Sequence, residues 1–185
     1  MRFQPTSLAG VTLIEFASHQ DGRGSFQRLW CQREFEIGGL PRKIVQVSLS
    51  QTKQRGTLRG LHYQLPPSRE DKLIQCVNGH IFDVALDLRP TSSTFLQHYS
   101  IELSASEPRA LFIPAGCAHG FLTLAADCRI IYMMSDFYDA ELSRGVRWND
   151  PAFNIKWPEE PLAMIRRDSE YPDVDLGILD AFLDY

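Results

Sequence analysis

The sequence predicts an all-β fold of the sandwich, jelly-roll or barrel kind, and three observations carry that expectation. From Thr12 to Trp148 the chain runs as short apolar stretches rich in β-branched and aromatic residues, broken by Gly, Pro and Asn, the punctuation that bounds strands. Asn78-Gly79 falls between two such stretches, a dipeptide suited to a two-residue hairpin because both residues tolerate positive φ. No helical pattern alternates with the strands, and neither G-x-G-x-x-G nor a Walker-type loop occurs, which argues against a parallel nucleotide-binding sheet.

Taken in order, Ser25 to Phe35 has room for a turn or two of helix near its end. Leu73 to Val77 and His80 to Leu88 are the arms of the expected hairpin. In the second arm Phe82, Val84, Leu86 and Leu88 alternate with Asp83, Ala85 and Asp87, giving one apolar and one mostly polar face. Strands follow around Ala110 to Ile113 and Gly120 to Leu124, joined by the turn-like Pro114-Ala115-Gly116-Cys117-Ala118-His119, and another spans Cys128 to Met134. Between Pro151 and Pro172 the prolines at 151, 158, 161 and 172 prevent a long helix, so this stretch should hug the surface and cover the β core. Leu176 to Leu183 suits a short terminal helix.

At 185 residues and 44% hydrophobic content, residues 1–185 fit a single domain with a full core. A formal net charge of −4 opposes a nucleic-acid coat, which needs a basic face. The first residues have no apolar signal core, and no apolar run approaches the roughly 20 residues that span a bilayer, so a soluble, cytoplasmic protein without membrane contact is expected. Cys31, Cys76, Cys117 and Cys128 are widely spaced with no C-x-x-C pair, which reads as free buried thiols.

The stretch Arg59-Gly60-Leu61-His62-Tyr63-Gln64, with Lys72 eight residues further on, is the strongest chemical signal. A lone histidine in such surroundings is commonly a hydrogen-bonded core residue; equally, imidazole is the side chain best suited to take a proton near neutral pH. Asp168 could orient that imidazole, Tyr132 could be a core aromatic or a proton donor, and Lys72 either a strand-edge cation or a charge for a developing enolate. His119 follows a Pro-Ala-Gly turn, a place where functional groups sit on rigid scaffolds. Arg23 and Arg59 could grip phosphate through their guanidinium forks, and Phe26 and Tyr138 could stack a base. His19, His62, His80, His98 and His119 lack the paired-histidine spacing of metal-binding β-barrels, so no metal is expected.

In their order along the chain, Asp21-Gly22-Arg23-Gly24, Leu58 to Gln64, Lys72-Leu73, Asp83 to Arg89, Ile113-Pro114, Ala118-His119-Gly120-Phe121 and Trp148-Asn149-Asp150-Pro151 resemble the dTDP-4-dehydrorhamnose 3,5-epimerase family from about Gly10 to Pro172. The resemblance implies a cupin-like jelly roll, free of metal and redox cofactor, acting on a nucleotide-linked 4-keto-6-deoxy sugar as a homodimer with exchanged strands. It also implies roles: His62 as base, Asp168 as its carboxylate, Tyr132 as acid, Lys72 as enolate stabiliser and His119 as a supporting histidine. Arg23 and Arg59 fall near the expected diphosphate, and Gln46, Phe26 and Tyr138 near the nucleotide. Arg28, Ser48 and Arg167 depart from the residues this family often carries there.

Overall fold

A computed structural model describes residues 1–41 and 43–179, and among them the all-β architecture takes the form of a cupin-like jelly roll. One sheet has six strands in the order β1 (Arg2–Pro5), β2 (Thr12–Glu15), β10 (Arg109–Ile113), β7 (Lys72–Asn78), β12 (Cys128–Met134) and β5 (Gln46–Thr52). The second has five, β13 (Ser143–Gly145), β6 (Leu58–Gln64), β11 (Cys117–Thr123), β8 (His80–Asp87) and β9 (His98–Ser104). A separate ribbon pairs β3 (Ser18–Asp21) with β4 (Gly24–Gln27). The described helices are short: α1 (Gln32–Ile37), α2 (Arg166–Ser169) and α3 (Leu176–Leu179).

Three apolar clusters explain why so many strands read as continuous hydrophobic runs. Ile74, Cys76, Leu111, Ile113 and Ile130 from the first sheet meet Ile81, Ala85, Leu103, Cys117 and Phe121 from the second, filling the space between the sheets. The outer face of the six-stranded sheet is covered as well, with Leu73, Phe112 and Met133 packing under Phe16 and Phe35. The outer face of the five-stranded sheet lies beneath the chain after β13, where Val84 and Leu86 meet Val146, Phe153 and Trp157. With both faces of a sheet dry, alternation is no longer a contrast between core and water.

That double cover corrects the reading of β8. Phe82, Val84 and Leu86 point outward, under the C-terminal cover, whereas Asp83 and Asp87 point between the sheets with Ile81 and Ala85 and are fully buried. Asp87 is satisfied there by Arg89, Ser92 and Thr94, whereas Asp83 is bonded through Oδ1 alone, to His119, and its buried Oδ2 has no hydrogen-bond partner.

Asn78-Gly79 is not a hairpin. β7 pairs with β10 and β12, while β8 pairs with β11 and β9, so the dipeptide turns the corner from one sheet to the other. Only Gly79 has positive φ (86°), whereas the hairpin turn expected of Asn-Gly needs it at both positions. A side chain at Gly79 would stand 2.6 Å from Cys128 Sγ, so the glycine is required by the close approach of β12.

β11 begins three residues earlier than expected. The connector is only Pro114-Ala115-Gly116, and His119 sits within a fully buried strand, not on a turn. The start of the expected helical stretch is taken by β4, leaving α1 beyond it; α2 has no counterpart in the expectations, and the last residues of the proposed terminal helix lie outside those described. The four cysteines are free, three of them buried and Cys31 half-buried. No helix among the described residues is long and apolar enough to cross a membrane.

Candidate active site

The site is built where β6 meets the chain that returns along its edge. Thr57 and Ala163 form an isolated parallel bridge, with Leu58 N–H donating to Ala163 C=O and the N–H groups of Leu162 and Ala163 to Gly56 C=O. This brings Met164 to Asp168 against the open end of the sandwich. The result is a cavity of 490 Å³ walled by Arg59 and His62 on β6, Ser48 to Ser50 on β5, Tyr132 on β12, and Arg167 and Asp168 on α2.

Arg59 and His62 are three residues apart, so strict alternation would put them on opposite faces. A bulge resolves this: Arg59 pairs with Phe121 and His62 with His119, three steps along β6 against two along β11. The bulge depends on two glycines. Gly60 has φ 117°, and a Cβ there would lie 2.6 Å from Gly120 Cα, while one on Gly120 would lie 2.8 Å from Arg59 C=O. Any other residue at either position would push the strands apart.

Asp168 is 1% exposed and uses both carboxylate oxygens. Oδ2 accepts the Gly60 N–H at 3.0 Å, and Oδ1 lies 2.8 Å from His62 Nε2. Burial by itself would raise this carboxyl's pKa, but the bonds from His62 and from the Gly60 backbone outweigh it, with the charges of His62 and Arg167 adding to them, and hold it below the usual carboxylate range. A carboxylate can only accept, so Nε2 carries the proton and Nδ1 is left with a free lone pair.

Across the cavity, on the opposite sheet, stands Tyr132. Burial first, then the nearby Asp83 carboxylate, push its pKa well above the ordinary phenol value, with Arg59 only partly opposing. It is therefore a neutral donor throughout the physiological range. His119 backs it, with ring centroids 5.6 Å apart in an edge-on arrangement, and is itself fixed by a 2.7 Å bond from Nε2 to Asp83 Oδ1.

Not every expected residue reaches this cavity. Lys72 is buried on β7 with its Nζ 2.6 Å from Glu70 Oε2, and it is not among the residues that wall the cavity. Arg23 and Phe26 lie on the β3–β4 ribbon, where Arg23 grips Asp21 and Phe26 is 70% exposed; neither lines the cavity. Gln46 and Tyr138 do come together, the Tyr138 N–H donating to Gln46 Oε1 at 2.7 Å, with the Tyr138 ring exposed. Arg28 pairs with Glu34. Arg167 and Tyr171, which sequence reasoning did not assign to the site, both stand beside His62: Arg167 NH2 is 3.4 Å from Nε2, and the Tyr171 ring centroid lies 6.1 Å from that of the imidazole. Of the other histidines, His80 pairs with Glu102 and His98 with the Phe153 carbonyl, and among the described residues no three potential ligands converge on a metal position.

A carboxylate-oriented imidazole and a neutral phenol on facing sheets of a jelly roll are the equipment of an isomerase that moves protons at carbon. The profile of the dTDP-4-dehydrorhamnose 3,5-epimerase family matches residues 5–175, and the chain belongs to that family. It is 41% identical over 175 residues to the Sinorhizobium fredii dTDP-4-dehydrorhamnose 3,5-epimerase, covering 94% of this chain and 90% of the relative. Among solved structures it resembles the Legionella pneumophila dTDP-6-deoxy-D-glucose-3,5-epimerase in complex with dTDP-4-keto-L-rhamnose, with TM-score 0.89, 32% identity and 96% of each chain covered. It is also similar to a 3′-monoepimerase from Streptomyces bikiniensis in complex with dTDP-quinovose, with TM-score 0.86, 30% identity, and 96% of this chain and 89% of that one covered.

Proposed function

We propose that this chain, as one jelly-roll domain, inverts C3 and C5 of a dTDP-linked 4-keto-6-deoxyhexose, converting dTDP-4-dehydro-6-deoxy-D-glucose to dTDP-4-dehydro-L-rhamnose. The observation that carries this is the placement of His62 and Tyr132 on opposite walls of one cavity. The C4 ketone acidifies the hydrogens at C3 and C5. His62 Nδ1 removes one of them, the imidazolium is stabilised by Asp168, and the electron pair moves to O4 as an enolate. Tyr132 then donates its hydroxyl proton to the opposite face of the carbon as the enolate collapses to the ketone, which inverts the centre; the phenolate then regains a proton from solvent and the imidazolium releases the one it took, which resets both groups.

Arg59 and Arg167 are the wall cations that meet charge on O4 or on the diphosphate. In this reading Lys72 contributes to O4 by exchanging Glu70 for the oxyanion. His119 holds the Tyr132 ring. The sequence of bond changes consumes no electrons, so no redox cofactor takes part.

In this reading the protein works as a homodimer in the cytoplasm, where its free thiols are at home. Arg23 and Phe26 support the dimer: they are expected at the nucleotide yet stand on an exposed ribbon away from the cavity, so a second copy would have to supply them. Mixing an inactive Arg23→Ala protein with an inactive His62→Asn protein should then restore activity at mixed sites, and no recovery after subunit exchange would refute the shared site.

Because a monoepimerase has the same overall fold, inversion at C3 alone is the competing reading. Incubation with dTDP-4-keto-6-deoxyglucose in deuterated water separates the two. Label at both C3 and C5 is expected; label at C3 alone rejects double epimerisation, and no label rejects the enzyme.

A further inference from the structure

We infer that Tyr171 is a positioning residue for His62, holding the imidazole in line with Asp168 by filling the place of a missing cross-strand side chain. This rests on His62 being the base. In an antiparallel pair, directly opposed residues share a face with Cβ atoms about 5 Å apart. His62 is opposed by His119 on one side and by Gly145 of β13 on the other. Gly145 has no side chain, and a Cβ there would overlap the Tyr171 ring. The ring therefore lies where the cross-strand neighbour of His62 would be, edge-on to the imidazole at a centroid separation of 6.1 Å and an interplanar angle of 73°.

The imidazole is thus restrained along its periphery. Asp168 binds Nε2, and the Tyr171 ring blocks rotation toward β13. Tyr171 follows Asp168 by three residues, so a single short segment sets both the hydrogen bond and the wall that keeps it in line. Arg167, from the same segment, lies beside the Tyr171 hydroxyl. Without the ring, His62 could rotate about χ1 and χ2 while its bond to Asp168 broke and re-formed, and Nδ1 would spend less time aimed at the substrate carbon.

Three variants test this. Tyr171→Phe keeps the ring and should retain kcat within about twofold. Tyr171→Leu keeps apolar volume but loses the flat wall; it should lower kcat about tenfold with KM changed less than twofold, once active sites are counted by dTDP binding. Gly145→Ala displaces the ring without altering Tyr171 and should show the same split. The downfield proton resonance of His62 Nε2–H, identified by its loss in His62→Asn, should persist in Tyr171→Phe and be lost to solvent exchange in Tyr171→Leu. Unchanged kcat in both Tyr171→Leu and Gly145→Ala overturns the inference, as does a loss confined to KM or a Phe variant as impaired as Leu. If His62→Asn itself still exchanges substrate hydrogens with solvent, the assignment of the base fails instead.

Discussion

The molecule contains two His–Asp pairs on neighbouring strands, and they have opposite surroundings. His62 and His119 are cross-strand partners, and each bonds a buried carboxylate through Nε2, at 2.8 Å to Asp168 and 2.7 Å to Asp83. The His62 side chain is 31% exposed on the cavity wall, whereas that of His119 is 3% exposed between the sheets. Chemistry that looks identical in a list of residues is divided by access. On the proposed mechanism the pair that meets the cavity exchanges a proton with the substrate, while the sealed pair packs against Tyr132 and holds it in place.

The largest effect should come from breaking the open pair. Asp168→Asn removes the acceptor that fixes the His62 tautomer, and kcat should fall on the order of 10³-fold while dTDP still binds, as measured by turnover and calorimetry. A fall of less than about tenfold would show that the imidazole orients itself. Breaking the sealed pair should reverse the emphasis. Asp83→Asn leaves a buried donor poorly matched and should cost about 3 kcal/mol of stability in denaturant unfolding, with a smaller loss of kcat than Asp168→Asn. If Asp83→Asn proves as stable as the parent but equally inactive, the division of roles drawn here is wrong.

The smallest effect sharpens the comparison through pH. Asp168 has a folded-state pKa below its ordinary value of 3.8, so its contribution to stability is present above that value and is lost as pH falls through the folded pKa. The stability gap between the parent and Asp168→Asn should therefore be full at pH 7 and narrow below pH 3.8, followed by urea unfolding. A gap constant across this range would mean that the carboxylate's charge contributes nothing to the fold.

Strand content was legible in the sequence because β-branched and aromatic runs survive whichever face they serve. Sheet assignment was not: Asn78-Gly79 carries a hairpin signal, and only the partners of β7 and β8 show a corner. The polarity of Asp83 and Asp87 pointed to solvent because nothing local announces that a distant segment will cover the other face. His62, Tyr132 and Asp168 were legible as a set, through their residue types and the motif around His62, and the structure brings them to one cavity. Tyr171 left no trace in sequence, since its relation to His62 exists only through the vacancy at Gly145. For Lys72 the sequence left a strand-edge cation and an enolate-stabilising charge both open, and nothing local reveals that Glu70, two residues earlier, pairs with its ammonium.

The C-terminal return along β6 has a kinetic consequence. Three backbone hydrogen bonds around Gly56, Leu58, Leu162 and Ala163 clip down the segment that brings Arg167, Asp168 and Tyr171 to the imidazole. Such a strap can open locally at a fraction of the free energy needed to unfold the sandwich behind it. The working lifetime of the catalyst is then set by the clip and not by the barrel: the first heat or denaturant to loosen it would disarm His62 while the β core still stands.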